Sequence, residues 1–217
     1  MELSELLKYD GRLFTCDDRS GILFEVVGFD PRQPGGPAPV AYPRHIMMEG
    51  SGDTDKGFKC EWMAQKDGLM LVGSFGKEYT DSEGKVVNRN NLWVKVFTPD
   101  GRLTHLDWSS NYQAMRRALG YTHPAYLLHE TALWSPRQKQ WIFLPRRMSH
   151  DKYDDMVDEH KGANTVITTS RDFSQVKSFT VGTLTPERGF SSAKFVPGGD
   201  EQVLVALKSE ENAKAGT

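Results

Sequence analysis

Four oxygen-bearing residues, Ser4, Glu61, Glu130 and Ser191, stand at intervals of 57, 69 and 61 residues along the 217-residue chain. Each opens the same local pattern of strand, polar turn and return strand. Ser4 leads to Asp10-Gly11, and Glu61 to Asp67-Gly68 with the apolar return Leu69 to Val72. Glu130 leads through the polar turn Ser135 to Gln140 into Trp141-Ile142-Phe143-Leu144. Ser191 leads through Pro197-Gly198-Gly199 into Val203 to Leu207. Asp-Gly suits a tight hairpin turn because both central residues take positive φ. If like units surround an axis, two carboxylates and two hydroxyls converge there, and such a set needs a cation. Hard oxygen donors point to calcium before zinc. The same residues also read as ordinary strand positions meeting water, and the repeat alone leaves both readings open.

The elements that would position these residues are short strands and turns. A repeat of this length built from them suggests propeller blades rather than a solenoid, and hence an all-β class. Gly21 to Val27 reads as a third strand of the first unit, followed by a Pro- and Gly-rich loop from Asp30 to Pro43. Asn91 to Phe97 and Arg102 to Trp108 read as a hairpin around Pro99-Asp100-Gly101. Ser110 to Leu119, closed by Gly120, is the one convincing helix, with Ser109 or Ser110 as its N-cap. In each unit the end of the return strand opens on one rim. Asp17-Asp18, Lys77-Glu78, Arg146-Arg147 and Lys208 with Glu210-Glu211 would gather there. Adjacent arginines with planar donors suit phosphate oxygens. The acidic run Asp151 to Lys161 reads as a solvated loop or helix face, without the spacing of an EF-hand loop.

The runs Asp17-Asp18-Arg19-Ser20-Gly21, Lys56-Gly57-Phe58-Lys59 with Glu61-Trp62, Gly76-Lys77-Glu78, Trp108 with Ser110-Asn111-Tyr112, and His129-Glu130 stand in a telling order. Leu144-Pro145-Arg146-Arg147, Lys161-Gly162-Ala163-Asn164, Gly189-Phe190-Ser191-Ser192 and Leu207-Lys208-Ser209-Glu210-Glu211 continue it. In this order and content the chain resembles the calcium-activated nucleotidases of the apyrase family, from Glu2 to Glu211. The resemblance implies a five-bladed β-propeller, of which this chain covers about four blades, with a central calcium ion. It implies hydrolysis of nucleoside di- and triphosphates of the UDP, GDP and ADP class by direct attack of water. Ser4, Glu61, Glu130 and Ser191 coincide with the family's calcium-binding positions. Asp18 becomes the carboxylate nearest the attacking water and Arg146 the group that stabilises transferred charge. Arg147, Lys77, Glu78, Tyr79 and Asn111 become substrate contacts. Tyr79 stands where relatives carry a tryptophan, so it offers a nucleobase a smaller π-face.

Residues 1–211 are expected to form one partial propeller domain and 212–217 a frayed tail, the whole being a fragment of the nucleotidase. With 27 basic and 29 acidic residues, nothing invites a nucleic acid polymer. No apolar run approaches the roughly 18 residues of a membrane span. The resemblance implies the lumen of the endoplasmic reticulum and Golgi or secretion, although the start Met1-Glu2-Leu3-Ser4 shows no targeting segment. Cys16 and Cys60 can pair or remain free. A homodimer is compatible with this reading. The competing functions are a non-catalytic propeller scaffold, an inactive fragment, and a calcium-dependent lactonase-like hydrolase, which has no use for Arg146-Arg147.

Overall fold

A computed structural model describes residues 2–33 and 35–211; the tail expected at 212–217 lies outside them. The first sheet runs in chain order through β1 (Leu3–Tyr9), β2 (Arg12–Asp17), β3 (Ile22–Val27) and β4 (Val40–Ile46). Asp10 and Gly11 at its first turn take φ of 48° and 76°, and Asp67 and Gly68 in the second unit take 52° and 77°. This is the double positive φ that the two dipeptides predict. The expected loop 30–43 gives way to β4 in its last part. Pro43 is accommodated because β4 is an edge strand with a register slip beside Pro43, where a missing N–H costs little.

The second sheet contains β5 (Trp62–Lys66) and β6 (Leu69–Gly73). The chain then makes a small separate hairpin, β7 (Tyr79–Thr80) with β8 (Val86–Asn88), before returning through β9 (Trp93–Phe97) and β10 (Leu103–Asp107) to complete the order β10-β9-β6-β5. Helix α1 (Ser109–Leu119) follows, closed as expected by Gly120 in the left-handed conformation. Its N-cap is Trp108, not a serine, and the Asp107 carboxylate takes the Ser109 N–H at 2.8 Å. The third sheet is β11 (Tyr126–Ser135), β12 (Gln140–Ser149), β13 (Thr165–Ser170) and β14 (Val176–Thr180), with the short helix α2 (Asp155–Asp158) between β12 and β13. β11 and β12 extend well beyond the Glu130–Trp134 and Trp141–Leu144 segments expected for them. The fourth sheet pairs only β15 (Arg188–Phe195) with β16 (Leu204–Glu210) among the described residues. The architecture is all-β, built of antiparallel sheets, and no sheet closes on itself among the described residues.

The return strands β6 and β12 have both faces covered, which is why they read as continuous hydrophobic runs, whereas in β16 Val205 and Leu207 are exposed. Successive sheets pack face to face through three cores. Phe14, Leu23, Met63, Met70 and Phe97 fill the space between the first two sheets. Trp62, Trp108, Tyr112, Trp141, Phe143 and Phe173 join the second sheet, α1 and the third sheet. Leu133, Ile142, Leu144, Val166 and Phe190 join the third and fourth. Trp108 and Trp141 meet edge-on at 5.3 Å, a geometry that contributes about 1 kcal/mol beyond burial alone. The first strands β1, β5, β11 and β15 pack against one another in that succession. Glu5 of β1 then reaches back to Ser192 Oγ at 3.0 Å and Lys194 Nζ at 2.7 Å on β15.

Cys16, in β2, is disulfide-bonded to Cys60, which lies just before β5. Closing a loop of this size removes about 4 kcal/mol of unfolded-state freedom on the chain-entropy account. The Cys16→Ser/Cys60→Ser variant is therefore expected to lose about 2–4 kcal/mol in urea unfolding. An unchanged midpoint would mean that the bond constrains nothing.

Lys95 is fully buried in β9, its ammonium on the Gly50 carbonyl at 2.5 Å and His105 Nδ1 at 2.9 Å. Burial pushes its pKa from 10.5 down to about 8, against the opposing pull of Glu49. The folded pKa is the lower one. Stability from this group is therefore fully present above pH 10.5 and is lost as pH falls through about 8. Lys95→Met is expected to flatten that alkaline slope in thermal unfolding followed from pH 7.5 to 10.5.

Candidate functional site

The four candidates lie in or just before the first strands of the four sheets, three of them at or beside backbone irregularities. Glu61 immediately precedes β5, its N–H donating to the Gly73 carbonyl at 2.8 Å. Glu130 lies in a register slip of β11 between His129 and Ala132. Ser191 is the extra residue in β15 between Phe190 and Ser192. In β1 the extra residue is Glu5, next to Ser4, at φ 52°. A bulge turns side chains out of the strict alternation of a strand and re-aims them. Here it brings Glu61 and Glu130 within electrostatic reach of each other. Burial first, and then the charge of Glu130, pushes Glu61 up to about 8. Glu130 is also raised, by burial and by Glu211, with Arg146 opposing. Ser4 and Ser191 hold the corresponding places on β1 and β15, both partly buried.

Two side-chain cations meet these acids. Lys59 Nζ lies 2.9 Å from Glu61 Oε1 and 2.7 Å from Asp18 Oδ2. Arg146, displaced in β12 by its own register slip, donates to Glu130 at 2.8 Å and to Ser209 Oγ at 2.9 Å, and stands 3.5 Å from Glu211. Gly57 and Gly21 make the first contact possible. A Cβ on Gly57 would lie 2.3 Å from the Ser20 carbonyl, so only glycine lets the loop before Lys59 approach the Asp17–Gly21 turn. Gly189 does the same on the other side, passing against the Arg146 backbone. Asp18 Oδ1 and Arg146 Nε are buried with no hydrogen-bond partner among the described residues. Each is therefore a polar group still available to a ligand.

Arg147 turns away from Arg146 into a second cluster. It pairs with the buried Asp158 carboxylate and with Glu211, and the Tyr126 hydroxyl donates to Asp158. The acidic run thus departs from the expectation of a solvated face at one place. Asp158 is buried because Arg147 and Tyr126 compensate its charge, while Asp154 merely caps α2 through the Met156 N–H. Lys77 borders this cluster. Its ammonium is buried, bonded to the Glu78 carbonyl at 2.8 Å and Thr80 Oγ1 at 3.2 Å, and lies over the Tyr153 ring. Burial pushes it down to about 8. The Glu78 carboxylate is taken by the buried Arg116 at 2.6 Å. Tyr79 is exposed, its ring face met by Lys56 at 4.8 Å. Asn111 stands partly buried in the first turn of α1.

Sequence reasoning missed Lys59, Glu5, Arg116 and Asp158 as members of this assembly. A signal existed for Lys59 alone: in an extended segment, residues 59 and 61 share a side. Among the described residues no group of three or more His, Cys, Asp or Glu is placed to hold a metal. The donors here are the carboxylates of Glu61 and Glu130 and the hydroxyls of Ser4 and Ser191. All are hard oxygen donors that fit calcium and give zinc no nitrogen or sulfur.

The whole chain, residues 1–217, matches the family model described as Apyrase. It is 44% identical over 212 residues to "Soluble calcium-activated nucleotidase 1" of Mus musculus, covering 98% of this chain and 50% of that protein. It is 39% identical over 212 residues to "Apyrase" of Cimex lectularius, covering 97% and 56%. Against "Apyrase apy-1" of Caenorhabditis elegans the identity is 37% over 212 residues, covering 97% and 57%. The chain spans about half the length of the curated relatives it matches.

The two readings of the acidic run separate by mutation. Asp158→Ala leaves Tyr126 without its acceptor and Arg147 with Glu211 alone, and is expected to cost about 3 kcal/mol. Asp155→Ala, on the exposed side of the run, should stay within about 0.5 kcal/mol. Equal, small losses in chemical unfolding would return Asp158 to the solvated face.

Proposed function

The chain belongs to the apyrase family, and on that premise we propose that it carries the reactive face of a calcium-dependent hydrolase of nucleoside di- and triphosphates. One observation carries the reading. The facing carboxylates Glu61 and Glu130 adjoin the Asp18 carboxylate on one side and the Arg146 guanidinium on the other. A propeller arrangement, five-bladed in the family and about four blades here, is supported by the succession of first strands and by the link from Glu5 back to β15. The Cys16–Cys60 bond supports an oxidising compartment, the secretory lumen or the outside of the cell.

Glu61 and Glu130, with the hydroxyls of Ser4 and Ser191, would hold the calcium ion. When bound, the ion draws charge from phosphoryl oxygens and offsets what develops on them. The remaining work falls to side chains. Asp18 uses its unpartnered Oδ1 to orient the attacking water and accept its proton. Water adds to the terminal phosphorus, and the bond to the bridging oxygen breaks, releasing phosphate and the shortened nucleotide. Arg146 presents its planar donors to the equatorial oxygens, while Arg147 holds Glu211, which stands beside Arg146. Lys77 and Glu78, locked by Tyr153 and Arg116, hold the start of the β7–β8 hairpin that exposes the Tyr79 ring to a base. Asn111 is the remaining polar group assigned to the nucleotide.

The 217-residue chain is expected to release phosphate from UDP, GDP and ADP in calcium, and to lose that activity in chelator. Glu130→Gln should weaken calcium binding in calorimetry by tenfold or more, since calcium sites scale with ligand charge, a change of about 1.4 kcal/mol. Arg146→Lys keeps the charge and loses the fork, and should lower kcat about 100-fold with less effect on KM. Calcium-independent turnover, or none with any of the three nucleotides, would overturn the proposal.

A further inference from the structure

Lys59 is a charged residue that the reaction above does not use. Its ammonium bridges Asp18 at 2.7 Å and Glu61 at 2.9 Å, the carboxylate given to water and one of the carboxylates given to the metal. Its backbone is pinned. Cys60 next to it is in the disulfide, the Phe58 N–H before it donates to the Met47 carbonyl at 2.8 Å, and Gly57 abuts Ser20. The four-carbon stem is the part left free to move, and the side chain is 40% exposed. Arg146, the matching cation on Glu130, is only 9% exposed and is held by Glu130, Ser209 and Glu211 together. A divalent ion set beside Glu61 and Glu130 would repel both cations. Lys59 is the one able to leave.

We propose that Lys59 is a tethered counter-cation that occupies Glu61 and Asp18 until a divalent ion displaces its ammonium, so that loading the metal frees the second Asp18 oxygen, Oδ2, beside the Oδ1 already open to the attacking water. The inference rests on the calcium reading of the same carboxylates. It makes Lys59 a positioning residue for Asp18, and metal binding the event that releases the Asp18 carboxylate from its ion pair. The released ammonium remains tethered by its stem, where it can meet an incoming phosphate. No bond is made or broken in this exchange; one ion pair replaces another.

The test is a calorimetric titration of the full chain with calcium chloride. Lys59→Met keeps the stem and removes the competing charge, so it should bind calcium about tenfold more tightly than wild type. Lys59→Arg keeps the competitor and should bind no more tightly than wild type. A second measurement needs no variant: acetylation of wild-type lysines by a water-soluble succinimidyl ester, followed by peptide mass spectrometry. Labelling of Lys59 should rise several-fold with calcium while the buried Lys95 stays unlabelled. Equal or weaker calcium binding by Lys59→Met, or unchanged labelling of Lys59, would overturn the role of Lys59 while leaving the calcium reading intact. Absence of calcium binding by wild type would overturn both.

Discussion

Two carboxylates, Glu61 and Glu130, are brought out of water within reach of one another, and much of the surrounding structure answers that demand. Like charges in a poorly solvated place repel, and each must be met by a cation or a proton. Lys59 answers for Glu61 and Arg146 for Glu130. Their placement depends on the backbone next to them. The Cys16–Cys60 bond and the Gly21–Gly57 contact draw the Lys59 segment against the first sheet. Gly189 and the slip in β12 set Arg146. An assembly of this kind adds little net stability, because desolvation consumes most of the Coulomb attraction. On the reading proposed above, its value lies in holding charge ready for an ion or a phosphate.

A second set of buried ion pairs surrounds the first and differs from it in kind. Arg147 with Asp158, and Arg116 with Glu78, are closed pairs whose partners are nearly inaccessible. They tie the segment after β12, the loop after β6 and the end of α1 to the third sheet. Lys77 belongs with them, since the backbone, Thr80 and Tyr153 surround its ammonium. These pairs are closed, whereas Lys59 and Tyr79 are exposed.

Beneath both layers lies the packing of sheet on sheet. Trp62, Trp108, Trp141 and Phe143 occupy a single core in which rings meet edge to face. Trp62 directly follows Glu61, and Phe143 packs on His129, which directly precedes Glu130. The carboxylates are in this way fastened to the least deformable part of the molecule. A change in aromatic volume there would shift the acids relative to each other.

The sequence by itself determined the all-β class, the four hairpin units, both Asp-Gly turns and the Gly120 helix stop. These depend on local backbone preference and on apolar runs, which act over a few residues. It also singled out Glu61 and Glu130, through the repeat and through motifs similar to those of the apyrases. Only the tertiary structure decided how the charges pair. Lys59 and Asp18 are 41 residues apart, and Arg147 and Glu211 are 64 apart. No periodicity connects positions so distant. The bulges at Glu5, Glu130 and Ser191 were equally hidden, because a one-residue slip breaks the alternation from which strand faces are read. The burial of Asp158 in an otherwise solvated run, and the strand formed by Val40–Ile46 around Pro43, were decided the same way. In each case a partner supplied from elsewhere in the chain overrode the preference of the segment itself.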